Sequence, residues 1–188
     1  MPLNLPNLVT WLRIILIPLM IGVFYLPDAW LSDSGKNIAA CAIFVVAALS
    51  DWLDGYLARA LDQMSAFGAF LDPVADKLVV AAALIMLVQL DRVEPIIALI
   101  IIGREIAISS LREWMAKIGR SASVTVAYIG KVKTVGQMVA IPLLLFHDPL
   151  FDMLDTQWLG TLLINAAVVL TVISMLHYLR RALPHARG

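Results

Sequence analysis

The chain has 188 residues, 61% of them hydrophobic and 15% charged, with 14 basic residues balancing 14 acidic ones. Its mean hydropathy is +0.88. A net charge of zero gives nucleic acid no bulk attraction, and the apolar excess predicts an all-α integral membrane protein rather than a soluble globule. The single cysteine, Cys41, excludes an intrachain disulfide and a cysteine metal cluster, and its apolar setting predicts a small buried hydrophobe. The length suits one domain over residues 1–188, with no internal repeat, low-complexity segment or soluble second domain.

In chain order, residues 1–13 read M-P-L-N-L-P-N-L-V-T-W-L-R, a short N-terminal juxtamembrane segment. Asn7 or Thr10 suits a helix cap, and Trp11 suits a membrane interface. Asn7, Thr10 and Arg13 are spaced by three, so a helix would turn them one way. A cleavable signal peptide is not expected: one basic residue, Arg13, precedes the apolar run, and no small-residue cleavage pattern follows it.

Six hydrophobic segments then predict six transmembrane helices, at 8–26, 37–60, 69–90, 94–115, 131–147 and 156–180. Only the last holds a long charge-free run, Thr156 to Leu179, whose 24 residues exceed the length needed to cross about 30 Å of hydrocarbon. The middle segments carry charges towards one end, as a polar cavity cut into one side of a helix bundle requires. Pro18 and Pro142 are expected to bend their helices rather than end them.

Six spans place both termini on one side. The loops on the other side hold two basic residues, Lys36 and Arg92, against seven acids: Asp28, Asp33, Asp91, Glu94, Asp148, Asp152 and Asp155. The positive-inside rule therefore puts the termini, and a cavity open beside them, in the cytoplasm. Residues 116–130, rich in glycine and small polar residues, read as a cytoplasmic loop, and the tail from Arg180 reads as a lipid-surface anchor. His147, His177 and His185 form no ligand spacing.

The chemistry concentrates between residues 51 and 76. Asp51 and Asp54 lie three apart, and Asp72 and Asp76 four apart, so each pair shares one helix face. Carboxylates inside a membrane are costly and usually face a working cavity. Two such pairs on consecutive helices make a cage of formal charge −4, which two divalent cations would neutralise. Oxygen-only ligands favour hard ions, Mg²⁺ or Mn²⁺. The alternatives are structural ion pairs or a transporter's ion path, but only Arg59 and Lys77 lie near enough in sequence to pair locally.

Two other groups of charge stand out. Arg104 and Glu105 interrupt the apolar run I-I-I-G-R-E-I-A-I. They could form a local ion pair, yet adjacent helical residues point about 100° apart, which makes Glu105 a poor partner. The other expectation is that Arg104 meets an anionic acceptor, with Arg112 two turns on. Lys131 and Lys133 open the fifth segment about 200° apart, so one is expected to take a substrate phosphate and the other to reach lipid headgroups.

The pattern D-x-x-D-G-x-x-A-R, eight residues, then G-x-x-x-D-x-x-x-D resembles the signature of the CDP-alcohol phosphatidyltransferases. It is met in full at Asp51, Asp54, Gly55, Ala58, Arg59, Gly68, Asp72 and Asp76. The resemblance implies that the four aspartates hold two divalent cations and that Asp76 also takes the acceptor's proton. It implies that Asn7, Thr10, Arg13, Asp54, Gly55, Ala58, Arg59 and Gly68 border the CDP-lipid. The stretches Gly103–Trp114 and Ile129–Thr134 further resemble the phosphatidylglycerophosphate-forming branch. That likeness implies CDP-diacylglycerol and sn-glycerol 3-phosphate as substrates, Arg104, Arg112, Lys131 and Lys133 as candidates for the acceptor phosphate, and a homodimer in a bacterial cytoplasmic membrane. Another acceptor, phosphatidylglycerol or an inositol phosphate, stays open on the sequence, as does the more distant class of a small cation or proton transporter.

Overall fold

The computed structural model describes residues 5–61, 66–118, 128–149 and 154–182. Among the described residues, six helices follow one another: α1 (Leu5–Val23), α2 (Asp33–Leu61), α3 (Ala66–Gln89), α4 (Pro95–Lys117), α5 (Tyr128–Phe146) and α6 (Thr156–Ala182). Each apolar segment of the sequence became one of them. The prolines at 18, 73 and 142 all lie inside helices. Two stretches, Asp33–Ser50 and Thr156–Arg180, are long and apolar enough to cross a membrane, and α1 and α5 carry shorter apolar runs, Leu8–Val23 and Thr134–Phe146.

One expectation fails at the start. Asn7 and Thr10 do not cap α1, because the helix already runs from Leu5. Asn7 and Thr10 lie within its first turns, and Thr10 bonds to a neighbouring helix instead.

The core draws on all six helices, with Met20, Phe44, Leu84, Leu87, Ile101, Ile141, Leu144 and Ile164 among its buried members. Cys41 is half-buried against it. α1 packs on α2 and α3, α5 on α2, α3 and α6, and α4 on α3 and α6. Gly160 allows the close approach of α6 to α5: a Cβ there would stand 2.7 Å from Leu144 Cγ and 3.3 Å from the Ala140 carbonyl. Small residues at such seams let helix backbones approach.

The described residues that follow α1, α3 and α5 meet at one end of the bundle, where Gln89 donates to the Tyr25 hydroxyl and Gln157 donates to Arg92 O. Both Asp91 (φ 56°) and His147 (φ 62°) take the left-handed conformation that stops a helix. At the end of α3 the Arg92 amide returns to Leu87 O at 2.9 Å and the Asp91 amide to Val88 O at 3.1 Å, a Schellman closure without glycine. Arg92 then reaches across the bundle. Its guanidinium donates to Leu144 O (3.1 Å) and Leu145 O (2.9 Å) at the end of α5 and to Asn37 Oδ1 (2.7 Å) on α2. Carbonyls left over by a helix end thus find a cationic donor. Burial pushes the Arg92 guanidinium below its ordinary range, while Asp148 and Asp33 act the other way. Ser34 donates to Asp148 (2.6 Å), and Asp155 caps α6 by accepting from the Trp158 amide (2.9 Å). The opposite end is left to the terminal side, where the site lies.

Candidate active site

α3 carries Asp72 and Asp76 one turn apart, with buried Gly68 one turn before them. Thr10 of α1, fully buried, donates its hydroxyl to Asp72 Oδ1 at 2.6 Å. Arg13, one turn further along α1, is also fully buried. The predicted common face of Thr10 and Arg13 is therefore an inward face, on a helix that packs against α2 and α3. Asn7 lies in the first turn of α1 and Asp51, Asp54, Gly55, Ala58 and Arg59 in the last turns of α2; their side chains, like those of Lys131 and Lys133 on α5, fall outside the described residues.

Next to the α3 carboxylates, a cavity of about 100 Å³ opens among α3, α4 and α5. Asp76 and Lys77 line it from α3, Glu105 from α4, and Thr134 and Gln137 from α5. A second hollow of about 200 Å³ runs between α3 and α4, lined mostly by apolar side chains such as Val74, Leu78, Ile102 and Ile106. The two share Lys77, Val80 and Glu105, so a polar cavity and an apolar groove meet at one edge.

Arg104 departs from expectation. Its guanidinium pairs with Glu105 Oε1 at 2.9 Å, although the two are neighbours in sequence. It also donates to Ser174 Oγ on α6 at 3.3 Å. The 100° between adjacent residues is overcome because both side chains are long and Glu105 reaches back. Arg104 itself is buried against α6 and is absent from the cavity lining, as is Arg112, whose guanidinium lies 5.5 Å from the centre of the Tyr178 ring and donates to its hydroxyl at 3.4 Å. The structure thus brings together Thr10 with Asp72, and Asp76 with Glu105, Thr134 and Gln137. It turns the two α4 arginines towards α6.

Glu105, Thr134 and Gln137 escaped the sequence reading as cavity residues. Gln137 had a signal, a lone amide in the apolar run V-G-Q-M-V-A-I. Thr134 had none beyond standing one turn from Gln137.

The donor set can be asked whether it suits a hard divalent cation. Asp72 is half-buried and held by a hydroxyl, and Asp76 faces a polar cavity. Oxygen ligands oriented by a hydrogen-bonding neighbour are what such an ion requires. These two carboxylates suit one face of such a site; among the described residues no group of three or more acidic, histidine or cysteine side chains gathers.

The sequence pattern of the CDP-alcohol phosphatidyltransferases matches residues 3–173. A Pseudomonas fluorescens protein named CDP-diacylglycerol–glycerol-3-phosphate 3-phosphatidyltransferase is 49% identical over 98% of this chain and 93% of its own length. Proteins of the same name from Shigella flexneri serotype 5b and Escherichia coli K12 are each 47% identical over 97% of this chain and 96% of theirs. With its pattern matched across most of its length and such relatives spanning it end to end, the chain belongs to the CDP-alcohol phosphatidyltransferase family.

Proposed function

We propose that the chain transfers a phosphatidyl group from CDP-diacylglycerol to sn-glycerol 3-phosphate, giving phosphatidylglycerophosphate and CMP. The observation that carries this reading is the near-half identity, over almost the whole chain, to relatives named for that reaction. On it, a terminal hydroxyl oxygen of the acceptor bonds to the phosphorus next to the diacylglycerol, the bond to CMP breaks, and Asp76 takes the hydroxyl proton.

Asp51, Asp54, Asp72 and Asp76 would hold two divalent cations, Mg²⁺ or Mn²⁺. Such ions, when bound, offset the charge of the pyrophosphate and of the leaving phosphate. Thr10 fixes the rotamer of Asp72 through the 2.6 Å hydrogen bond. Asn7, Arg13, Gly55, Ala58, Arg59 and Gly68 would border the CDP part, the small residues by letting it approach the backbone and Arg59 through its planar fork. The apolar groove between α3 and α4 suits an acyl chain, since it joins the polar cavity at Lys77 and Glu105.

The acceptor would enter the cavity beside Asp76. Lys131 stands one turn before Thr134 and Lys133 one turn before Gln137, so its phosphate is assigned to this end of α5. Arg104 serves the same pocket by holding Glu105, and Arg112 belongs with it at the seam with α6.

The six helices would all span the bilayer, with the termini and the site on the cytoplasmic side of a bacterial membrane. Two sets of exposed aromatic residues support this: Trp11 and Trp114 near the terminal end, and Tyr25, Trp30 and Trp158 near the loop end. Such residues favour the two interfaces. A homodimer is part of the same reading. The test is an acceptor screen with the purified chain, CDP-diacylglycerol and Mg²⁺. CMP release should depend on glycerol 3-phosphate. Release driven equally by inositol phosphate or phosphatidylglycerol would overturn the acceptor, and ion flux in empty liposomes without nucleotide would overturn the class.

A further inference from the structure

Gln137 is 4% exposed, lies within an otherwise apolar stretch of α5, and lines the cavity that Asp76 and Glu105 also line. Among the described residues, no hydrogen bond to its amide is made. The side chain is not sealed off but lines the cavity, and a polar group set in an apolar membrane helix and turned to a cavity marks a place where something polar binds. The cavity of about 100 Å³ is well above the ~10–15 Å³ that one ordered water needs, so it has room for a small polar group. Its polar lining is mixed, and Lys77 adds an ammonium donor beside Asp76. Asp76 and Glu105 offer carboxylate acceptors, Gln137 an amide with two donors and an acceptor, and Thr134 a hydroxyl. A ligand bearing two neighbouring hydroxyls satisfies that set, with one hydroxyl donated to Asp76 and the next placed between Glu105 and Gln137. Arg104 fixes the Glu105 carboxylate through the 2.9 Å ion pair, so this half of the pocket is ordered before the ligand arrives.

We propose that Gln137, together with Glu105, binds the middle, non-reacting hydroxyl of the acceptor and so sets the enzyme's preference for a glycerol backbone. The proposal rests on the reaction assigned above and adds the part of the acceptor that this chain reads. A site built to hydrogen-bond a substrate hydroxyl discriminates against the analogue lacking it, because its own polar groups are then left unmatched.

The test uses the full chain in detergent micelles or nanodiscs with CDP-diacylglycerol and Mg²⁺. Two acceptors are compared by CMP release: glycerol 3-phosphate and 1,3-propanediol monophosphate, which lacks only the middle hydroxyl. The wild type should favour glycerol 3-phosphate in kcat/KM by at least about tenfold. Gln137→Met, which keeps the side chain's length and suits an apolar helix, should shrink that ratio to within about threefold. It should do so by lowering turnover of glycerol 3-phosphate alone, with the KM for CDP-diacylglycerol unchanged. Gln137→Asn, which keeps the amide but withdraws it by one methylene, should shrink the ratio as well, and it answers the question if the Met variant does not fold. Equal losses on both acceptors would mean that Gln137 only shapes the cavity, and an unchanged ratio would mean that it does not touch the hydroxyl; either result overturns the proposal. If wild-type enzyme used neither acceptor but did use phosphatidylglycerol, the assigned reaction would fail instead, and the two failures are told apart.

Discussion

Thr10 in the second turn of α1 donates its hydroxyl to Asp72 Oδ1 at 2.6 Å, across 62 positions of sequence. The bond ties the polar start of the first helix to the carboxylate-bearing helix and holds one carboxylate oxygen in a fixed direction. Losing an orienting partner of a metal-binding carboxylate typically costs 10–100-fold in metal affinity or activity. Thr10→Val keeps the shape and removes the hydroxyl. It should raise the Mg²⁺ concentration for half-maximal CMP release by roughly tenfold or more, while Thr10→Ser stays near wild type. An unchanged Mg²⁺ dependence in the Val variant would leave the bond with a packing role only.

Metal removal is the more direct check on the aspartates. Chelator should abolish CMP release, and Mg²⁺ or Mn²⁺ should restore it. Asp72→Asn and Asp76→Asn preserve size but remove charge, and each should lower kcat/KM by at least about 100-fold, roughly 2.7 kcal/mol. Asp76→Asn should resist rescue by excess metal, because the proposed proton acceptor is gone as well. Turnover that persists in chelator would end the two-cation assignment.

Gly160 offers a test of the bundle apart from catalysis. Its missing Cβ would collide with Leu144 Cγ at 2.7 Å, and Leu144 is fully buried. Gly160→Val should therefore lower stability in detergent by about 1–3 kcal/mol, the usual cost of overpacking. Adding Leu144→Ala should recover part of the loss, since it removes the atoms that clash. A thermal melt of the wild type and the two variants decides; if the double variant were no better than the single one, the α5–α6 seam would not be the cause.

The helices were legible because apolar runs in a membrane chain have few other fates. The segment expected at 131–147 is α5 from Tyr128 to Phe146, and the one at 156–180 is α6 from Thr156 to Ala182. That Asp72 and Asp76 stand one turn apart on α3 was legible because a four-residue spacing is local, while the side chains of Asp51 and Asp54 lie outside the described residues. What depended on another helix was not. Nothing near Thr10 in sequence points to Asp72. Nothing near Arg92 says that its guanidinium closes the end of α5 through Leu144 O and Leu145 O. Gln137 was visible as a polar residue in apolar surroundings, but only packing places it beside Asp76. The Arg104–Glu105 pair was misjudged for another reason: helix arithmetic gives the direction of Cβ, while long side chains choose where their ends go.

That pair carries the last prediction. Arg104 is 7% exposed and Glu105 29%, so the bridge is partly shielded from water, and Ser174 takes a second guanidinium donor. Two consequences follow from removing the arginine. The Glu105 carboxylate, which shares a cavity with Asp76, loses the Arg104 guanidinium, and the α4–α6 seam loses a polar anchor. Breaking a fully buried pair costs about 3–5 kcal/mol; the partial exposure of Glu105 brings the expectation for Arg104→Ala down to about 1–3 kcal/mol. Arg104→Lys should recover part of this, since it keeps the charge but not the planar fork. Glu105→Gln in the Arg104→Ala background should also recover stability, because it removes a charge that has lost its arginine. A direct role for Arg104 at the acceptor phosphate makes a different forecast: normal stability, a KM for glycerol 3-phosphate raised about tenfold, and no rescue by Glu105→Gln. Melting curves of the single and double variants beside acceptor kinetics separate the two, and the ion pair in the structure sets the expectation on the stability side.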